Sequence, residues 1–263
     1  MRVHLVDGTF ELFRAHYSKR PPHAAPDGKD LKATLGVVQS LIYLMADENE
    51  KATHLAVAFD NPITSFRNRL FRGYKTDAGI DPALRGQFDD VEAAVRALGV
   101  TVWSMKDFEA DDALATAALK FAADARVEQV RIMTPDKDLG QVLLGEKIVQ
   151  VDRIRSKLIT EASQLADKKL QARSVPDYLA LVGDTADGIP GLEGWGEKGT
   201  AEVLARYGSI EAIPDSVADW KVKPRGAEKL SAVLARERQA ALLYKQLASL
   251  RGDVPLTETL EDL

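Results

Sequence analysis

The chain contains no cysteine. Disulfides, thiolate zinc sites and a cysteine nucleophile are therefore excluded, which fits a reducing compartment. Histidine is scarce. The four present (His4, His16, His23, His54) fall outside the acidic motifs described below and read as core or surface residues. No apolar run approaches the roughly 20 residues that a membrane-spanning helix needs. The opening MRVHLVDG leads directly into a strand pattern, so the expectation is no signal peptide and a cytoplasmic location. Excess basic charge is absent as well: the formal net charge is −5. With 263 residues, 45% hydrophobic and 29% charged, the chain has the composition of an ordinary globular protein, one large domain or one domain plus a small appendage.

What the chain does have is acid in short motifs. Asp7 stands in LVDG, Asp60 in AVAFD, and Glu109, Asp111 and Asp112 in EADD. Asp136 and Asp138 stand in TPDKD, and Asp184 and Asp187 in GDTAD. Most follow an apolar run. Clustered carboxylates repel one another and are costly to desolvate, so they call for a cation. The hard cations suited to carboxylates and phosphate chemistry are Mg²⁺ and Mn²⁺. Two such ions about 4 Å apart activate a water and stabilise a leaving oxygen, which makes phosphodiester hydrolysis the leading chemistry. Setting these nine aside, 31 of the 40 acidic residues remain against 35 Lys and Arg, so the rest of the surface is mildly basic and compatible with nucleic acid.

Apolar, β-biased runs predict strands at Val3–Val6, His54–Phe59, Val100–Trp103, Val130–Thr134 and Lys147–Val151. Helical spacing predicts helices over Leu35–Met45, Phe88–Leu98 (stopped by Gly99) and Ala110–Ala123. This alternation predicts an α/β fold with a largely parallel sheet and flanking helices. Ligands of such sheets lie beyond the carboxyl ends of the strands. Asp7, Asp60 and Asp136 each follow such an end, so topology alone predicts their convergence. From Val175 onward only helices are expected: Val175–Val182, Ala201–Tyr207, and one or two over Ala227–Leu250. The expected division is a core over 1–174 and a helical region over 175–263, packed on it.

Each motif has an ordinary reading when taken alone. EADD is a common acidic first turn of a helix, TPDKD a turn, GDTADG a loop, and Asp7 an Asx turn. Thr64–Lys75, TSFRNRLFRGYK, interleaves basic and aromatic residues, which suits frayed or single-stranded nucleic acid but equally a solvated basic helix. The stretch GDTADGIPGLEGWGEKG holds six glycines in 17 residues, which suits close backbone approach to a phosphate or simply a turn between helices. Lys221, Lys223, Arg225 and Lys229 extend a basic track or form a solvated face.

The order LVDG, AFD, FR…YK, EADD, DKD, GD-x-x-D-G-I-P-G and G-x-G-E-K resembles the bacterial 5′-nuclease family, the group of the 5′→3′ exonuclease domain of DNA polymerase I and of flap endonucleases. The resemblance runs from Val3 to about Leu250. It implies a PIN-like α/β fold with a helical arch and a helix–three-turn–helix DNA-binding element. It implies two-metal hydrolysis of DNA at 5′ ends or 5′-flap junctions, in replication or repair at the bacterial nucleoid, by a monomer. On this resemblance Asp7, Asp60, Glu109, Asp111, Asp112 and Asp136 surround a first Mg²⁺ or Mn²⁺. Asp138, Asp184 and Asp187 hold a second, with Asp111 shared. Asp136, Asp111 and Lys75 take the catalytic roles, Lys75 by stabilising charge on the phosphate. Arg14, Arg67, Tyr74, Lys75, Gly194, Gly196 and Lys198 contact DNA, Tyr74 by stacking on a terminal base. Carbonyls of the glycine-rich loop 191–199 suit a K⁺ ion.

One departure stands out. After the YK pair the family commonly has another arginine, whereas this chain reads YKTDAGIDP and has no base until Arg85. The arch is therefore expected to be short, favouring gapped or recessed 5′ ends. The alternatives are a junction-binding protein with weak catalysis and a PIN-type ribonuclease, the latter disfavoured by the glycine-rich helical element.

Overall fold

The computed structural model describes all residues from Met1 to Leu263. Its centre is a six-stranded sheet: β1 (Arg2–Asp7), β2 (His54–Asp60), β3 (Thr101–Met105), β4 (Gln129–Met133), β5 (Ile148–Asp152) and β6 (Lys157–Ile159), in the order β3-β2-β1-β4-β5-β6. The pairs among β1 to β5 are parallel, with Val3 opposite His54 and Val130. β6 is antiparallel at the edge, pairing Gln150 with Ile159. β1 and β2 are buried along nearly their whole length, as strands covered on both faces must be. β6 went unpredicted because its sequence, Lys157-Leu158-Ile159, is short and largely exposed.

On one face lie α1 (Gly8–Tyr17), α2 (Lys32–Ala46) and α5 (Phe88–Ala97), which bury Leu12, Val37, Leu41, Val91 and Val95 against Val6 and Val57. On the other lies α6 (Ala110–Ala122), whose alanines pack with Val3, Leu5 and Ile132. Between β2 and α5 there are only two four-residue helical turns, α3 (Arg67–Leu70) and α4 (Pro82–Arg85). No long arch helix rises from this segment.

After α7 (Glu161–Lys168) come α8 (Val175–Val182), α9 (Glu197–Tyr207) and α10 (Ala227–Ala248), the last bent at non-helical Glu237. Trp195, Trp220, Leu179, Val203, Leu230 and Leu234 form their core, to which Tyr74 contributes. Trp195 is thus a packing residue, and its indole N–H donates to the Leu230 carbonyl at 3.2 Å. Beyond α10 the chain returns across α6: Leu250, Leu256 and Leu263 pack on that helix's core, and the Leu263 carbonyl accepts from the Leu55 amide.

Candidate metal centre and nucleic-acid interface

Strand ends deliver the first acids. Asp7 closes β1 and also caps α1, its Oδ1 accepting from the Phe10 amide at 2.8 Å. Its Oδ2 accepts from the Thr134 hydroxyl at 3.0 Å. Asp60 closes β2; its Oδ1 accepts from the Ala110 amide at 2.7 Å, and its own amide donates to Thr9 Oγ1 at 2.8 Å. Asp136 follows β4 and accepts from the Asp138 amide at 2.9 Å. With Asp111 and Asp187 these three line a cavity of about 380 Å³, which Lys75 also enters. Parallel neighbours in the sheet carry the acids to one edge, as topology requires.

The second group comes from a short 3₁₀ helix, Lys137–Val142, and from the loop after α8. One oxygen each of Asp138, Asp184 and Asp187 lie within 4.8 Å of one another. Asp138 Oδ1 is buried and has no hydrogen-bond partner. Lys137 Nζ lies 2.9 Å from Asp184 Oδ2. Lys75 Nζ lies 2.9 Å from Glu109 Oε2 and 3.0 Å from Asp187 Oδ1, so its ammonium stands between the two groups. The segment bearing Lys75 is seated on the acidic loop: the Lys75 amide donates to the Asp187 carbonyl at 3.0 Å. Gly188, at φ +74°, permits this approach, since a Cβ there would overlap the Gly73 carbonyl.

The electrostatics are those of a cation site. Burial, with the charges of Asp60 and Asp136, pushes the Asp7 carboxyl up to about 7, against the lowering effect of the Phe10 amide. Burial also raises Asp60 to about 6, with Lys75 opposing and Glu109 adding. Asp111 and Asp138 are driven well above the usual range, first by burial and then by Asp136 and other neighbouring acids. Glu109 differs: Lys75 and Arg67 outweigh its burial and hold it below the usual range. A converging set of carboxylate oxygens, one without a partner, fits a hard divalent cation. Adding Mg²⁺ or Mn²⁺ to the metal-free protein should therefore raise its melting temperature. At a hundredfold excess over Kd the gain is about 2.7 kcal/mol, roughly 5–10 °C for a chain of this size. An unchanged melting temperature at millimolar metal would show that the acids hold no ion.

Three residues depart from their expected places. Asp112 is fully buried and faces away from the cavity: its two oxygens take a bidentate pair from Arg67, at 2.7 and 2.8 Å. It is a partner of arginine and not a ligand in either group. Arg67 is correspondingly buried, with a side chain only 1% exposed, and its guanidinium cannot reach a phosphate. Tyr74 is buried too. Its hydroxyl donates to Glu109 Oε2 at 3.2 Å and lies 3.3 Å from Asp187 Oδ2, which leaves no ring face for a DNA base. The spacing of basic and aromatic residues over Thr64–Lys75 cannot reveal which of them turn inward. Arg69 and Arg72 are the exposed bases of that stretch, Arg69 lying 3.4 Å from Asp107 Oδ1. Arg14 is partly exposed and paired with Glu11, its guanidinium 3.2 Å from Ser40 Oγ.

Sequence reading passed over Thr9, Thr134, Ser65 and Lys137. Lys137 carried a signal, sitting between two named acids in Asp-Lys-Asp, whereas the hydroxyls carried none. The glycine-rich loop turns into α9 at Gly196; Gly194 takes φ +83°, and Lys198 is exposed on the first turn. Gly194, Gly196, Lys198 and Arg225 line a second cavity, of about 410 Å³.

A parallel sheet that gathers carboxylates at one edge has the chemistry of a metal-dependent nuclease type of site. Comparison with known proteins gives the same class. Residues 2–173 match the family model of the 5′-3′ exonuclease N-terminal, resolvase-like domain, and residues 170–263 match its C-terminal SAM fold. The chain belongs to the 5′-3′ exonuclease family. It is 31% identical over 266 residues to DNA polymerase I of Bacillus caldotenax, covering 98% of this chain and 29% of that protein. It is 29% identical over 262 residues to a 5′-3′ exonuclease of Aquifex aeolicus, covering 99% of this chain and 86% of that protein. The chain thus spans less than a third of the polymerase and most of the exonuclease. Its fold superimposes on T5 5′-exonuclease with bound zinc at a TM-score of 0.73, with 17% identity, covering 94% of this chain and 89% of the other. No helix is long and apolar enough to cross a membrane.

Proposed function

We propose that the protein is a structure-specific 5′ nuclease that hydrolyses DNA at 5′ ends or 5′-flap junctions, in replication or repair in the bacterial cytoplasm. The observation that carries this reading is the convergence of Asp7, Asp60, Asp111 and Asp136 on one cavity, beside the Asp138, Asp184 and Asp187 group. The first group, with Glu109 at its margin, is assigned to one Mg²⁺ or Mn²⁺ and the second group to another. Bound there, two divalent cations supply an acidified water and charge stabilisation for an in-line displacement at phosphorus. Asp136, whose charge raises both Asp111 and Asp138, stands close to both groups. Lys75, between Glu109 and Asp187 at the cavity, is the ammonium assigned to developing phosphate charge. Arg14 and the exposed Arg69 and Arg72 are assigned to contact with the DNA backbone.

The loop 191–199 is assigned to duplex DNA. Gly194 and Gly196 bring backbone close to a phosphate, Lys198 adds its charge, and loop carbonyls suit a K⁺ ion. Lys198→Ala should weaken duplex binding alike for all sequences and lower the salt slope by about one. An unchanged slope would remove Lys198 from the interface. The reading as a whole is tested with matched 5′-flap and 3′-flap DNA duplexes and an RNA version of the 5′ flap. Metal-dependent cleavage confined to the 5′-flap DNA is expected. Equal cleavage of the 3′ flap, or preference for RNA, would overturn it.

A further inference from the structure

The family resemblance makes the arginine of the FR motif, Arg67, a DNA contact, yet it lies at the centre of a buried network. Every nitrogen of its guanidinium is engaged. Nη1 and Nη2 take both oxygens of Asp112, Nη1 also lies 3.2 Å from Glu109 Oε1, Nε donates to the Leu247 carbonyl at 2.7 Å, and Nη2 donates to the Ser249 carbonyl at 2.9 Å. Asp112 completes the joint. Its Oδ2 accepts from the Glu109 amide at 3.0 Å, closing a capping box at the start of α6, and its Oδ1 accepts from the Arg251 amide at 2.9 Å.

The returning segment is fastened further along the same helix. Thr116 Oγ1 donates to the Arg251 carbonyl and accepts from the Val254 amide, both at 3.2 Å. Gln141 holds the segment from the other side, donating to the Ala248 carbonyl at 3.2 Å and accepting from the Leu250 amide at 3.0 Å. Three parts of the chain therefore meet at one guanidinium: the start of α3, the acidic N-terminus of α6, and the end of α10 with the strap that follows it. A planar group with five donors in a fixed fork can hold all three, which an ammonium cannot.

We propose that Arg67 is a positioning residue. It fixes the Glu109 carboxylate and locks the C-terminal strap onto the acidic end of α6, so that metal-site geometry depends on residues 247–254. The metal part of this proposal rests on the reading of the acidic groups as divalent-ion sites; the strap part rests on the network alone. Glu109 then receives Ser65 Oγ at 2.6 Å, Arg67, Tyr74 and Lys75 from a single segment, which turns most of that basic–aromatic stretch into an inner support for the site. Partners that orient metal-site ligands typically alter metal affinity by 10–100-fold when removed.

The test uses the full chain with Arg67→Met, and with Arg67→Met/Asp112→Asn, which removes both charges and keeps one acceptor oxygen for either the Glu109 or the Arg251 amide. Folding of the double variant does not depend on leaving a buried aspartate unpaired. Three quantities are read: Mn²⁺ affinity by electron paramagnetic resonance, hydrogen exchange at the Leu250, Arg251 and Val254 amides, and affinity for 5′-flap DNA in chelator. Both variants are expected to lose about tenfold or more in Mn²⁺ affinity. Exchange in the strap should quicken while the sheet stays protected, and DNA affinity should stay within about twofold, well short of the loss of a phosphate contact. Unchanged Mn²⁺ affinity with DNA binding weakened tenfold would overturn the proposal and return Arg67 to the DNA interface. A wild-type protein that binds no Mn²⁺ would refute the metal reading instead, and the exchange rates alone would then decide whether Arg67 holds the strap.

Discussion

Asp136→Ala and Asp184→Ala are expected to abolish cleavage of a 5′-flap duplex while leaving its binding largely intact. Asp136 stands among the first group of acids, and Asp184 belongs to the second. Both are anionic and neither is among the residues assigned to DNA, so affinity for phosphate has no reason to fall. Electrostatic stabilisation of a phosphoryl transition state is worth several kcal/mol, and about 4 kcal/mol corresponds to roughly a thousandfold in rate. Single-turnover cleavage at saturating protein, beside anisotropy in Ca²⁺, separates chemistry from binding. Turnover near the wild-type rate in either variant would show that its carboxylate is not part of the reaction.

The second prediction sets two acids of similar burial against each other. Asp112 holds Arg67 with both oxygens, whereas the Asp138 carboxylate has an oxygen without any partner and faces other acids. Asp112→Ala leaves a buried guanidinium short of its counter-charge, which costs about 3–5 kcal/mol, roughly a 10 °C drop in melting temperature at this chain length. Asp138→Asn removes a charge that burial and Asp136, Asp187 and Asp184 all oppose. It should leave the metal-free protein as stable as the wild type or more stable, and should cancel the stabilisation by metal. Thermal melts of both variants with and without Mn²⁺ decide the matter. If Asp138→Asn destabilised the metal-free fold and Asp112→Ala did not, the division between site acids and structural acids would be reversed.

That division marks the limit of what the sequence reveals. β1, β2 and β5 were legible because both faces are buried, and β4 through Val130, Ile132 and Met133 although Gln129 and Arg131 are half-buried. The convergence of Asp7, Asp60 and Asp136 followed from strand polarity alone. In contrast, the first turn of a helix gives no hint of which acid faces a cavity. Glu109 and Asp112 share a side of α6, and in the fold Arg67 claims Asp112 completely. The same holds for Tyr74, whose ring reads as a base platform until the α8–α10 core is seen to enclose it. The strap after α10 was illegible for another reason: its polar ties run through its own backbone carbonyls and amides, and the leucines it buries (Leu250, Leu256, Leu260, Leu263) lie in no α-helix or strand whose period would have marked them. Loop acids Asp184 and Asp187 read on their own only as a loop and were assigned to a metal through the family resemblance; the turn that carries them uses Gly183 at φ +93° and Gly188 at φ +74°.

The central claim is that two carboxylate groups hold two divalent cations on which DNA hydrolysis depends. Mn²⁺ titration of the metal-free protein by electron paramagnetic resonance, with cleavage of a 5′-flap duplex followed in the same samples, addresses it most directly. The account predicts two ions per chain, cleavage that grows as the second is bound, and complete loss on chelation. Cleavage that persists in chelator, or full activity with no bound ion, would contradict it.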